Sequence, residues 1–351
     1  MTFRILLTCT GGGLAPQAIQ YLRHQSRHGA VYVVAVDTLK SATGRHFADA
    51  FEVVPNGTEP GYAAALAEIA ERHAVDLVLP WSDEEALAAA RDRTLIEQNG
   101  RQLACADISV LETVSDKTRA YEALERAGLP VPKWQRANTL SELEAAVERF
   151  LAMGLDVAVK PAISRGSRDV SVIRADVSGA GHYGGGREVH MDAVSFRSKY
   201  LASYAEHFPI MVMERLFEPT FDLDILANKG EVLRSVGRRR INPPVPNDGH
   251  VIESRQDLYD LAPGIAKTFG LTWLYDCDLM VDRNGKIFIL EVNPRPSGST
   301  ALVVAAGVPM LDDMISLARN EALPPVDIPY GRIVVPYTAL AVAKDGVSAN
   351  P

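Results

Sequence analysis

The chain of 351 residues is long enough to bury a sizeable core, and by length it divides into roughly two or three compact units. Its net charge of -8 supplies no basic field for phosphates or anionic lipids, which argues against a nucleic-acid or membrane-surface binder and for a small-molecule partner. Cys9, Cys105 and Cys277 lack zinc or disulfide spacing, the N-terminal apolar run is too short for a signal peptide, and no run reaches the roughly 18 residues that span a bilayer, so a reducing, cytoplasmic setting is expected.

Apolar runs at residues 3–9, 30–37 and 75–80 alternate with helical patterns at 15–25, 61–74 and 83–100. Strands joined by short helical crossovers imply a parallel sheet covered on both faces, here a doubly wound N-terminal domain. The stretch SDKTRAYEALERAGLPVP, residues 115–132, reads as a helix with Ser115 as N-cap, Gly128 at its end, and Pro130 and Pro132 barring continuation. From 157 to 216 the pattern changes to short strands around a turn, with one long polar insertion in which SGAGHYGGGREVH has the composition of a mobile loop. Residues 221–240 and 274–293 each read as a hairpin, turning at Asn228 to Gly230 and at Asp282 to Gly285. The second half is therefore α+β with antiparallel sheets, and the tail after Leu340 is expected to fray.

Side chains two apart on a strand share a face, so Glu291 and Asn293 point together in KIFILEVNPRPSGST, as do Asp276 and Asp278 in the preceding strand. The hairpin sets the two pairs side by side. Like charges this close repel, and oxygen-only ligands of this kind suit Mg²⁺ held jointly with nucleotide phosphates. A solvated sheet edge carrying unpaired acids is the alternative. In KPAISRGSRDV, Lys160 ends an apolar strand, and Ser164 to Asp169 form a turn of small residues and arginines able to close over phosphates. A surface hairpin that happens to carry Arg165 and Arg168 is the other reading, and the P-loop pattern is absent. GGGLAPQA, Gly11 to Ala18, with Asp37 ending the next strand, invites a dinucleotide-binding reading whose glycine spacing is not met; a strand-to-helix turn lining a substrate cleft fits as well. Cys277, facing away from Asp276 and Asp278, is read as core.

In this order along the chain, the features resemble the ATP-grasp superfamily over about residues 1 to 320, in the manner of the carbamoyl-phosphate synthetase large-subunit ATP-grasp unit with its pre-ATP-grasp domain. The resemblance implies a fold of α/β and α+β parts: a Rossmann-like pre-ATP-grasp domain at 1–112, an ATP-grasp lobe at 113–217 with a lid subdomain at 158–217, a metal and substrate lobe at 218–330, and a C-terminal strand and tail at 331–351. It further implies ATP and Mg²⁺. Lys117, Lys160, Ser164, Arg165, Gly166, Ser167, Glu214, Leu216 and Asp222 would meet the nucleotide, and Asp278, Glu291 and Asn293 the metal. Arg295, Lys117 and Lys160 would be catalytic, and Arg238, Arg240, Arg295 and Ser297 would meet the substrate. Arg238 and Arg240 alternate on one strand and share a face, either to bind a carboxylate bidentately or as solvated strand-end charge.

Several positions depart from the pattern. Asp169 stands where the lid usually has glycine, which implies a stiffer lid. Thr220 falls near the usual ribose acid, with Asp222 or Glu218 as its replacement, and His182 and His190 are read as loop residues without a role. The implied activity is a carboxylate-amine ligase working through an acyl phosphate, on an amino acid or similar small anionic substrate. A bicarbonate-activating carboxylase or carbamoyl-phosphate-like enzyme, and a non-catalytic nucleotide-binding subunit, are the alternatives. Small-molecule carboxylate and amine are the expected partners; nucleic acid and membrane are not, and a homodimer is left open.

Overall fold

The computed structural model describes residues 2–164, 169–182 and 188–342, and these build three sheets. The first is parallel and five-stranded, in the order Ala50–Val53, Tyr32–Asp37, Arg4–Leu7, Leu77–Leu79 and Gln102–Leu103. Its central strands are buried along nearly their whole length, as the unbroken apolar runs require when helices cover both faces. Helix Ala15–His24 starts with Pro16 in its first turn and buries Ala18, Ile19 and Leu22, a three-and-four spacing that places one stripe on the sheet. The helical stretch expected over 83–100 is instead two helices, Asp83–Arg91 and Arg93–Ile96. The break lets the Arg93 guanidinium donate to the carbonyls of Cys105 and Ala106. The order of the strands switches direction across the sheet between Arg4–Leu7 and Leu77–Leu79, and at such a point the loops beyond the strand ends part to form a crevice.

Helix Lys117–Arg126 leads out of this unit. Its cap is Asp116, not Ser115: the Asp116 carboxylate accepts from the backbone of Thr118 at 3.0 Å and Arg119 at 3.2 Å, whereas Ser115 ends the preceding helix. A carboxylate at a helix start satisfies the same orphan amides as a serine hydroxyl and adds a favourable charge to the dipole. The helix stops where Gly128 takes φ +73°, before Pro130.

The second sheet runs Trp134–Ala137, Ile210–Glu214, Val157–Pro161, Ser171–Ile173, Val189–Met191 and Ala180–His182, antiparallel except where Val189–Met191 lies parallel to Ser171–Ile173. With helix Leu140–Ala152 it encloses a core of its own. His182 and His190 are strand residues rather than loop residues, His190 buried because the strand turns it inward.

The third sheet is antiparallel: Ile287–Asn293, Trp273–Val281, Phe217–Asn228, Glu231–Arg240, His250–Ile252 and Ile333–Val334. Both hairpins turn where the residue types demand, at Lys229 and Gly230 with positive φ and at Asp282 to Gly285, whose Asp282 carboxylate accepts from the backbone of Asn284 and Lys286. Cys277 is buried among the apolar residues behind this sheet. The first and third sheets share one continuous hydrophobic core, which Met211 and Met213 of the second sheet also join, while the other face of the second sheet packs on a smaller core of its own. No helix among the described residues is long and apolar enough to cross a membrane.

Candidate functional site

The strand register puts Asp278 opposite Glu291 and Asp276 opposite Asn293, and on the other side Asp222 opposite Asp278 and Asp224 opposite Asp276. Four aspartates and a glutamate thus converge on one face of three adjacent strands. Carboxylate oxygens of Asp222, Asp276 and Asp278 lie within 4.8 Å of one another. The Asn293 amide donates to Asp276, its partner across the strands, at 3.2 Å.

Cations from elsewhere in the chain meet these acids. Lys117, at the start of its helix, brings its ammonium to 3.0 Å from Glu291 and also donates to the Ser164 carbonyl. Lys160 is buried at the end of its strand in the second sheet. Burial pushes its ammonium down to about 8, Glu291 pulls it up, and Lys117 pushes it down further. Burial also opposes the Glu291 charge, yet Lys117 and Lys160 outweigh it and hold this carboxyl below its usual range. Asp278 behaves in the opposite way: burial, with Asp222 and Glu291 adding to it, pushes the carboxyl up to about 6 despite Arg240 and Arg295. The expectation of a self-repelling group of acids therefore needs correction at Glu291, whose strongest partners are lysines.

Arg238 and Arg240 do share a face, and both turn into the acids. Arg238 is fully buried. Its guanidinium donates to Asp224 at 2.6 and 3.2 Å, to Asp276 at 3.5 Å, to Ser299 Oγ at 2.7 Å and to the His250 ring. An internal carboxylate, Asp224, holds the place expected for a substrate carboxylate. This corrects the substrate role read for Arg238, because a fully enclosed guanidinium with these partners presents nothing outward. Removing one partner of a buried ion pair leaves the other uncompensated, so Arg238→Ala is expected to lose about 3 to 5 kcal/mol of stability. A urea midpoint equal to the parent's would contradict the assignment. Arg240 donates to both oxygens of Asp222 at 2.9 and 2.7 Å and to Asp278. Asp222 is accordingly a buried member of the acid cluster, which corrects its reading as the ribose acid.

Arg295 lies 2.9 Å from Asp83 and 3.7 Å from Asp276, and the indole of Trp81 donates to the Ser297 carbonyl at 2.8 Å. Ser297 is buried, its hydroxyl 2.8 Å from that of Ser299. Through Trp81 and Asp83 the loop after the acid strand is held to the crevice side of the first sheet. Neither residue stood out in the sequence, since both lie in a polar stretch whose place beyond a strand end only the packing shows. Asp224 was legible in principle: Asp222 and Asp224 alternate as Asp276 and Asp278 do, and two such strands side by side stack their acids.

Glu214 ends the strand that borders Val157–Pro161. Its carboxylate accepts from the Lys133 amide at 2.9 Å and its own amide donates to the Lys133 carbonyl at 2.9 Å, while Leu216 is buried beyond it. The Ser164 hydroxyl donates to the Pro161 carbonyl at 3.3 Å. Arg165, Gly166 and Ser167 lie outside the described residues, as does Arg168; Asp169, which follows, takes φ +58°. An aspartate tolerates that left-handed conformation better than most side chains, which accounts for a non-glycine residue there.

Residues 206–339 match the family model described as ATP-grasp in the biosynthetic pathway with Ter operon, and residues 5–103 match the PylC-like N-terminal domain. The chain carries an ATP-grasp domain. Its matched stretch holds the acid cluster, Arg238, Arg240, Arg295 and the Glu214 strand end, while the PylC-like match covers the parallel sheet. The chain is 26% identical over 332 residues to pyruvate carboxylase of Schizosaccharomyces pombe, covering 87% of this chain and 26% of that protein. It is 27% identical over 312 residues to the carbamoyl phosphate synthase large chain of Rubrobacter xylanophilus, covering 84% and 26%. This chain thus spans about a quarter of the length of either relative. Among solved structures, the ADP complex of N5-carboxyaminoimidazole ribonucleotide synthetase superposes with a TM-score of 0.69 at 16% identity, covering 95% of this chain and 81% of that one. An L-amino acid ligase from Bacillus licheniformis does so with a TM-score of 0.62 at 13% identity, covering 90% and 74%. These structures share the two-lobed ATP-grasp fold behind a parallel-sheet domain.

Proposed function

We propose that this chain is an ATP-dependent ligase that activates a small carboxylate as an acyl phosphate and joins it to an amine, releasing ADP and phosphate. The observation that carries the reading is the meeting of Lys117, Lys160 and Glu291, brought from a helix start, the second sheet and the third sheet to one point. Two buried ammonium groups brought together at this point are donors that a polyphosphate would engage. Lys117 and Lys160 would hold the phosphates, with Ser164, whose carbonyl accepts from Lys117, beside them. Glu214 and Leu216 would border the adenine. Arg295, partly exposed between Asp83 and Asp276, would orient the acid to be activated.

Asp278, Glu291 and Asn293 are oxygen donors on neighbouring strand positions, a set whose chemistry fits Mg²⁺. Bound there with the nucleotide, Mg²⁺ would offset charge on the phosphates. The chain's own contribution is otherwise positional: its lysines and Arg295 fix the phosphoryl group and the acid in line, and no covalent nucleophile is needed. Among the described residues no disulfide joins Cys9, Cys105 or Cys277.

Release of phosphate from ATP over pools of acids and amines, each with and without added bicarbonate, tests the reading. Similarity to pyruvate carboxylase and carbamoyl phosphate synthase supports bicarbonate as a second candidate acid. Release that needs both an organic acid and an amine supports the ligase, release that needs bicarbonate alone supports the alternative, and none in any pool contradicts both.

Nucleotide binding should also depend on pH in a set direction. Lys160 must be charged to meet phosphates, and in the free protein it titrates near 8, so binding takes up a proton above that pH. Affinity for a non-hydrolysable ATP analogue is expected to fall as pH rises through 8, by at most about tenfold per pH unit. Calorimetry in buffers of different ionisation enthalpy reads the proton directly; a pH-independent affinity would contradict the Lys160 role.

A further inference from the structure

Arg240 sits over the acid cluster with its guanidinium on two aspartates. The grip on Asp222 is double, Nε at 2.9 Å and a terminal nitrogen at 2.7 Å, while the contact with Asp278 is a single bond from that same terminal nitrogen. Asp278 is also the partner of Glu291 across the hairpin, and Glu291 is itself held by Lys117. Both carboxylates read as metal ligands are thus already paired with a side-chain cation of this chain. A guanidinium and a divalent ion cannot share the same oxygen, because two unit charges at about 4 Å already repel by roughly 4 kcal/mol at the effective dielectric of a protein surface.

We propose that Arg240 is a built-in counter-cation that closes Asp278 to a bare divalent ion and yields it only to an ion arriving with a nucleotide. The unequal grip makes this workable: the two hydrogen bonds to Asp222 anchor the guanidinium while the one hydrogen bond to Asp278 is given up. A nucleotide supplies what a bare ion lacks, since its phosphates draw Lys117 away from Glu291 and bring negative charge that compensates the cations crowded at the strand end. This inference rests on the reading of Asp278 as a metal ligand.

The test is binding of Mn²⁺, followed by the electron paramagnetic resonance signal of the free ion, to four proteins without nucleotide: the parent, Arg240→Lys, Arg240→Gln and the double variant Asp222→Asn with Arg240→Gln. Loss of a charge-assisted bond that competes for the ion should tighten Mn²⁺ binding by about tenfold or more in Arg240→Gln, whereas Arg240→Lys, which keeps the charge, should stay near the parent. The double variant removes Asp222 together with its counter-charge, so it folds where the single variant leaves a buried acid uncompensated, and the same gain is expected from it. Equal or weaker Mn²⁺ binding in the glutamine variants overturns the gate. Parallel titrations of the parent with ADP present separate the two levels. If Mn²⁺ does not bind even then, the ligand reading of Asp278 fails and the gate with it; if it binds and the glutamine variants gain nothing without nucleotide, the gate alone fails.

Discussion

Lys160→Met is expected to abolish nucleotide binding while raising the melting temperature of the free protein. The ammonium is enclosed, and the drop from 10.5 to about 8 corresponds to a destabilisation on the order of 3 kcal/mol. The sign follows from linkage: a lysine whose folded value lies below its unfolded value binds fewer protons when folded. The penalty is therefore complete below about 8 and fades as pH rises toward 10.5. Methionine fills the same volume without charge and removes the penalty at neutral pH. The gain is partly offset, because Glu291 loses one of its two ammonium partners, so a net rise of about 1 to 2 kcal/mol is expected. Binding should move the other way, since a methionine offers the phosphates nothing. Calorimetric titration with an ATP analogue beside a thermal melt reads both; a variant that binds normally or melts lower would contradict the assignment.

Glu291→Gln should lose turnover by on the order of a hundredfold to a thousandfold and, unlike Lys160→Met, should melt lower. Acids crowded at a strand end read at first sight as mutually repelling, so that an amide would relieve them. The lysines reverse that expectation. Lys117 stands 3.0 Å away, and with Lys160 it holds the Glu291 carboxyl below its ordinary value in spite of burial. A carboxyl depressed in this way contributes stability that is present above its unfolded value near 4.5 and is lost as pH falls through the folded value. The amide carries no charge at any pH, so the variant is less stable at neutral pH and its melting curve is flatter in acid than the parent's. Activity per folded molecule distinguishes roles: a purely structural glutamate would lose activity only in proportion to the unfolded fraction.

The strand-end motif was legible because period-two alternation assigns faces without any knowledge of packing. Asp276 with Asp278 and Glu291 with Asn293 needed only the hairpin turn, and Asp282 to Gly285 supplied it. Lys160 was legible by its position at the end of an apolar strand, whereas Lys117 came only from the resemblance to the ATP-grasp superfamily. What alternation cannot show is which charge answers which. Three arginines in a row suggest an outward patch, and only the neighbouring strand, with Asp222 and Asp224 beside Arg238 and Arg240, turns them into internal counter-ions. Asp83 and Trp81 were unreadable for the same reason, since their partners Arg295 and Ser297 arrive from the far end of the chain. The helix cap at Asp116 instead of Ser115 is a one-residue difference between two residue types that cap equally well.

The most direct measurement of the central claim follows the oxygen. Once a productive acid and amine are found, the acid is supplied with heavy oxygen in its carboxylate, and the phosphate released during turnover is weighed by mass spectrometry. Attack of the carboxylate on the γ-phosphate, followed by displacement by the amine, predicts one heavy oxygen in each phosphate released. Phosphate formed at the normal rate without the label would contradict activation through an acyl phosphate.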